Sequence, residues 1–259
     1  MELDSHGMRI LAAASAIAPA LALLLYFSGH RSWRHLRELA WLSFGFGFSA
    51  AIPIAGLAAL YAPAVASIEG VRLGAAAIAF LEAAVPEEAG KFLVLLYFLL
   101  RHEDLRRPID AVVLSVMVSI GFAAIENIYY VFGSANWTQT AMLRAITAVP
   151  MHATVGLIMG YFAAQRAMQA SPTRRTLAAM LLWPVLFHGA YNYPVFAVQR
   201  LVGEGEAATQ SQQLEFQILF VVAIVSAALF ALIALRNILA DRRALQSSFL
   251  FAESPKTAA

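Results

Sequence analysis

Residues 71–100 read VRLGAAAIAFLEAAVPEEAGKFLVLLYFLL, with Pro86-Glu87-Glu88-Ala89-Gly90-Lys91 at their middle. The flanks, Gly74 to Phe80 and Phe92 to Leu100, are lipid-soluble in composition. In water, two glutamates and a lysine on a helix would be an ordinary surface patch. Inside a bilayer each charge costs about 3 kcal/mol or more unless paired or hydrated, so ionisable residues at that depth mark function by default. The meaning of the stretch therefore depends on whether the rest of the chain also dissolves in lipid.

It does. Of 259 residues, 61% are hydrophobic and only 13% charged, with a mean hydropathy of +0.70, which places the chain in the multi-pass membrane class rather than among soluble domains. Seven apolar segments, at about 8–28, 40–62, 71–100, 109–132, 139–165, 176–199 and 213–239, each reach the ~20 residues a helix needs to cross a bilayer. The expected fold is an all-α, multi-pass transmembrane helix bundle of about seven spans, or eight helices if Pro86 splits the third. One polytopic domain is expected over 1–240, with a loose cytoplasmic tail over 241–259. Cysteine is absent from these residues, which excludes disulfides, thiolate metal sites, iron–sulfur clusters and a cysteine nucleophile.

Charge sorts the loops. Arg31, Arg34 and Arg37 follow the first segment, Arg101, Arg106 and Arg107 the third, Arg166, Arg174 and Arg175 the fifth, and Arg236, Arg242, Arg243 and Lys256 the seventh. The opposite side holds only Arg9, Arg72 and Arg200, so 13 of the 18 basic residues lie on one side. The positive-inside rule then predicts the N-terminus outside and the C-terminus inside a cell (plasma or inner) membrane. The first segment lacks a basic leader and is followed by arginines, so it is expected to stay as a span rather than to be removed as a signal peptide. Trp33, Trp41 and Trp137 fall near predicted span ends, and Gly156 with Gly160 forms a small-xxx-small pair suited to close helix approach.

Four polar clusters interrupt the spans: Glu87-Glu88-x-x-Lys91, Glu126-Asn127, His152, and His188-x-x-x-Asn192. Counted from the basic end of each segment, Glu87 lies 14 residues from Arg101, Glu126 17 from Ile109, His152 14 from Arg166 and His188 13 from Arg175. At 1.5 Å per residue all four fall ~20–25 Å from the inner boundary, in the outer half of the bilayer. Antiparallel helices thus bring them to one level. Lys91 stands one turn from both glutamates, His188 and Asn192 share a helix face, and Glu126 has Phe122 and Tyr130 four residues to either side.

Blander readings exist for each cluster. Glu87, Glu88 and Lys91 could form a buried ion pair that fixes packing, but buried pairs stabilise poorly and two carboxylates exceed one amine. His152 alone, or His188 with Asn192, reads equally well as a core group bonded to a neighbouring helix, and Asn127 as a helix-to-helix donor. Arg144 is expected to snorkel to the outer interface, while Glu69, Arg72 and Glu82 are expected to be solvated. The shared depth of the four clusters favours a single site.

Two glutamates and two histidines with asparagine and lysine nearby suit amide hydrolysis. A glutamate in an apolar site can act as general base toward water, and imidazole or amide N–H groups can stabilise an oxyanion. The same residues could instead hold a divalent metal, with zinc the natural candidate. Residue types alone leave both schemes open.

Taken in order, Glu87-Glu88-x-x-Lys91, Phe122-x-x-x-Glu126-Asn127, His152-x-x-x-Gly156 and His188-x-x-x-Asn192 resemble the motifs of the PrsW family of bacterial intramembrane proteases, relatives of the CAAX prenyl endopeptidases and abortive-infection-type membrane peptidases. The resemblance spans Pro86 to Asn192 and implies an intramembrane endopeptidase acting on single-pass membrane proteins. Its best-known members cut an anti-sigma factor on the extracytoplasmic side, a site-1-type cleavage. By resemblance Glu87, Glu88, Glu126, His152 and His188 are catalytic, with Lys91, Asn127 and Asn192 in support. A metal, if used, would be held by Glu88, Glu126, His152 and His188. The bilayer and a membrane-protein substrate are the expected partners, and nucleic acid is not. The competing readings are a proton-coupled transporter with a buried Glu/His relay and a non-catalytic membrane scaffold of the same fold.

Overall fold

A computed structural model describes residues 5–102, 104–169, 173–203, 205 and 208–246. Nine α-helices carry these residues, and no strand occurs among them: α1 (Ser5–Gly29), α2 (Arg37–Ala66), α3 (Val71–Ala77), α4 (Val85–Val94), α5 (Pro108–Gly133), α6 (Trp137–Ile146), α7 (Ala148–Met168), α8 (Arg174–Gly203) and α9 (Gln210–Ala240). The fold is an all-α membrane bundle. Five stretches are long and apolar enough to cross a bilayer: Gly7–Gly29, Arg31–Ala66, Pro108–Gly133, Trp137–Met168 and Gln210–Ala240. The two remaining rods, residues 71–99 and α8, are as long but carry polar residues along their length.

Helix α5 is the centre. Buried from Pro108 through Ala124, it packs against α1, α2 and α7, while α8 and α9 pack outside α7. Its Ala, Ser, Gly and Val content suits burial on all sides, because small residues let neighbouring backbones close in. A Cβ on Gly160 would run into Val112 and the Ala111 carbonyl, and one on Gly156 into Ser119 and Ser115, so this glycine pair forms the α5–α7 seam. The outer helices invert the soluble pattern. In α9 the small Ala223, Ala227, Ala231 and Ala234 face inward, while Leu214, Ile218, Val222, Leu229 and Leu232 face outward. That is what a helix with lipid on one side and a close neighbour on the other requires.

Pro86 does not break the third segment. Residues 71–99 form one continuous rod in which α3 and α4 are joined by a π-helical stretch, Ile78–Ala84, and α4 is followed by another, Leu95–Leu99. The wide turn admits the proline ring, since Val85 N–H reaches back to the Phe80 carbonyl. Pro86 has no N–H to offer Leu81, and the Tyr61 hydroxyl of α2 donates to that carbonyl instead, at 3.0 Å. The break falls in the fifth segment, at Thr147, where α6 ends and α7 begins. Thr147 followed by Pro150 in the first turn of α7 is the local cause.

At the basic end, Asp110 in the first turn of α5 is fully buried and ties that helix to the 3₁₀ turn Arg31–Leu36 through His35 (3.0 Å) and Arg107. Past α9, Asp241 caps a second 3₁₀ turn, Arg242–Leu245, whose Ala244 packs on Ile109 and Ala164. The Arg243 guanidinium beside Asp241 holds its carboxyl below the usual carboxylate range. The rest of the stretch 241–259, from 247 onward, lies outside the described residues.

Candidate active site

Four helices deliver their polar side chains to the same place. Helix α4, bracketed by the two π stretches, supplies Glu87, Glu88 and Lys91. Helix α5 supplies Glu126 and Asn127, α7 supplies His152, and α8 supplies His188. The shared level obtained by counting residues is a shared cluster in space.

Lys91 lies at its heart, fully buried. Its Nζ donates to Glu88 Oε1 at 2.7 Å, meets His152 Nδ1 at 3.0 Å, stands 3.8 Å from Glu87 Oε2 and lies 4.4 Å over the Phe122 ring. His188 Nδ1 shares Glu88 Oε1 at 2.8 Å, and its Nε2 is 3.8 Å from Glu87 Oε2. The two imidazoles meet edge to face, with centroids 5.1 Å apart. An ammonium has only hydrogens to give, so His152 Nδ1 accepts from Lys91 and its Nε2–H donates to Glu126 Oε2 at 2.6 Å. That sets the tautomer of His152.

The residues the sequence put in supporting places divide. Asn127 is buried and its Nδ2 donates to the Ala16 carbonyl of α1, a helix-to-helix bond at 3.1 Å. Asn192, one turn beyond His188, is half-buried and makes no side-chain hydrogen bond among the described residues. Phe122 and Tyr130 do not simply edge Glu126, because each lies under a cation, Lys91 and Arg144 respectively.

Arg144 corrects the sequence reading. It does not snorkel to the outer interface but turns inward from α6, with a side chain only 15% exposed. Its Nη2 is 3.1 Å from Glu126 Oε2 and its Nε donates to Asn127 Oδ1 at 2.6 Å. The signal in the sequence was the Thr147–Pro150 break, which frees α6 from continuing the line of α7.

Two acceptors in this cluster are left over. Glu87 Oε2 and Glu88 Oε2 are buried without a hydrogen-bond partner. Buried carboxylate oxygens rarely go unpaired, and an ion or a water is the usual answer. One ligand atom from each of Glu87, Glu88, His152 and His188 lies within 4.8 Å of the others, a two-carboxylate, two-imidazole set of the kind divalent metals take. These residues fit a metal. Glu126, counted in the set by sequence, instead spends its Oε2 on His152 and Arg144.

The comparisons point the same way. A family model described as PrsW family intramembrane metalloprotease matches residues 35–233, which contain every residue of the cluster. Protease PrsW of Geobacillus kaustophilus is 34% identical over 188 residues, covering 72% of this chain and 80% of that protein. The Bacillus subtilis protein of the same name is 30% identical over 190 residues, covering 73% and 84%. That of Halalkalibacterium halodurans is 31% identical over 180 residues, covering 69% and 80%. No solved structure matches the chain. With the matched region spanning all four motif-bearing helices, the central α5 among them, the chain belongs to the PrsW family of intramembrane metalloproteases and is a membrane-embedded endopeptidase.

Proposed function

We propose that the chain cleaves single-pass membrane proteins, anti-sigma factors among them, on the extracytoplasmic side of the cell membrane, with Glu87, Glu88, Glu126, His152 and His188 forming the active site. The reading rests on one observation above the rest: two buried glutamate oxygens without partners face two buried histidines. The orientation that goes with it has seven crossings, the N-terminus outside and the C-terminus inside, supported by the concentration of 13 of 18 basic residues at one end.

Glu88, pinned by Lys91 and His188, anchors the site. Glu87, held only by contacts of 3.8 Å, is the base. It takes a proton from water as the water oxygen bonds to the scissile carbonyl carbon. In the metal-free scheme the oxyanion that results is stabilised by Asn192 and by His188 through Nε2–H, the ring nitrogen that Glu88 leaves free. Glu87 then returns the proton to the departing amine as the C–N bond breaks. Glu126 orients His152 throughout. With Glu87 as base, Glu88, His152 and His188 make the three-ligand set common to catalytic zinc sites. Zinc held there would supply Lewis-acid polarisation of the carbonyl.

The test is a panel of tagged single-pass reporters, each co-expressed with the chain and with its Glu88→Ala variant. A reporter cut on its outer side by the former alone is expected, and equal cutting by the variant would sink the assignment. Metal analysis of the purified protein, with cleavage measured in chelator, separates the metal scheme from the metal-free one.

A further inference from the structure

Arg144 has no role in any motif of the cluster, yet it is one of the most constrained side chains near it. It arrives on α6, a ten-residue helix (Trp137–Ile146) that carries none of the ionisable residues above, and reaches back over α5. Its guanidinium makes three contacts of different kind at once. Nε donates to Asn127 Oδ1 at 2.6 Å, Nη2 stands 3.1 Å from Glu126 Oε2, and the guanidinium carbon lies 4.0 Å from the Tyr130 ring centre. Asn127 is itself fixed to the Ala16 carbonyl of α1. All three partners stand on α5, and one of them is tied in turn to α1, so the planar cation pins α6 to a fixed face of α5.

A headgroup anchor would need an extended, exposed side chain, and this one is 15% exposed. Charge supplies the second argument. Glu87, Glu88 and Glu126 are three carboxylates, and Lys91 is one ammonium that spends its shortest contact on Glu88. The second cation comes from α6. Geometry supplies the third: Arg144 Nη2 and His152 Nε2 approach the same oxygen, Glu126 Oε2. The atom that receives the His152 proton is the atom the guanidinium faces.

We propose that Arg144 is a positioning residue for proteolysis: from α6 it fixes the Glu126 carboxylate, and through it the ring orientation of His152. The inference rests on the reading of Glu126 and His152 as site residues. Outer-shell partners that orient a histidine in this way are typically worth about 10–100-fold in activity or metal affinity. Arginine is required rather than lysine, because only a planar fork reaches Asn127 and Glu126 together while its face lies on Tyr130.

The test uses the full-length purified protein and the reporter identified above. Arg144→Met should lower kcat about 10–100-fold, leave KM within about twofold and leave the helical melt in detergent where it is in the unaltered protein. Arg144→Lys should recover part of that loss. Because the effect passes through Glu126, the double variant Glu126→Gln, Arg144→Met should be no slower than Glu126→Gln alone. An unchanged kcat in Arg144→Met overturns the proposal. So does an additive double variant, or equal loss in the Met and Lys variants accompanied by a lowered melt, which would make Arg144 a structural pin. If Glu126→Gln and His152→Ala both retain full activity, the site reading falls, and this inference falls with it. If they lose activity while Arg144→Met does not, only this inference falls.

Discussion

Two fully buried acids, Asp110 at the first turn of α5 and Glu88 of α4 in the cluster at the far end of α5, each have a histidine and a basic residue for company, and they are built to opposite ends. At the first turn, Asp110 Oδ2 accepts from the backbone N–H of Arg106 (3.1 Å) and Arg107 (2.9 Å) and from His35 (3.0 Å). Its Oδ1 receives Arg107 Nε and Nη2 at 3.0 and 2.8 Å. Every acceptor site is spoken for. At the other end, Glu88 Oε1 takes both Lys91 and His188 while Oε2 has nothing, and Glu87 Oε2 has only contacts at 3.8 Å. Asp110 and Glu88 are both fully buried, and each has a histidine and a basic residue beside it. What differs is completeness, and a satisfied network is a clamp whereas an unsatisfied one has room for a substrate, a water or an ion.

Four variants can break or sharpen that contrast. Glu88→Gln should cost about 10²–10⁴-fold in reporter cleavage, the range for a lost general acid–base or anchoring group, or up to about 5.5 kcal/mol of transition-state stabilisation. Asp110→Ala should act on stability instead. It strips the carboxylate from Arg107, which keeps only the Ser32 carbonyl as an acceptor, and orphans the Arg106 and Arg107 backbone N–H groups. It should cost about 3 kcal/mol, read from helical circular dichroism during SDS titration, with cleavage per folded molecule nearly unchanged. If these two effects traded places, the contrast between clamp and site would be wrong. Gly160→Val tests the seam that joins the two ends, since its side chain would meet Val112 and the Ala111 carbonyl. Overpacking there should cost about 1–3 kcal/mol in the same titration. Tyr61→Phe is the mildest: it strips the donor from the Leu81 carbonyl and should cost about 1 kcal/mol, with the helix content of the folded protein unchanged.

Much of the site could be read from sequence because lipid makes polar residues conspicuous. Glu87, Glu126, His152 and His188 stood out against apolar runs, and counting from the arginine-rich end gave a common level because helix rise is constant. Arg144 was missed for the same reason. An arginine near a span end normally reaches for headgroups, and only the Thr147–Pro150 break just downstream signals that α6 can leave the line of α7 and turn it inward. The sequence allows a chain break at Pro86, and the structure has it at Thr147. A proline interrupts a helix only if the backbone cannot widen and the orphaned carbonyl finds no donor, and here a π turn and Tyr61 from another helix meet both needs. Such remedies come from outside the local sequence, so local sequence could not announce them. The exchange of Glu87 for Glu126 in the metal-compatible set has the same origin. The identity of Glu126's partners depends on α6, which counting along α5 does not reveal.

The π stretches on either side of α4 have a further consequence, in the bookkeeping of insertions and deletions. A π turn is what an α-helix becomes when it takes in one surplus residue without losing its path. The rod 71–99 therefore carries a spare residue upstream of Glu87 and another downstream of Lys91. Removing one residue from 78–84 would restore ordinary pitch and leave the glutamates facing the histidines, whereas removing one from within α4 would turn everything beyond it by about 100°. Removing one from 95–99 would likewise leave the glutamates in place and preserve the direction in which the chain leaves the rod at Leu100. Alignments of distant relatives should accordingly open single-residue gaps at these two places and nowhere between them.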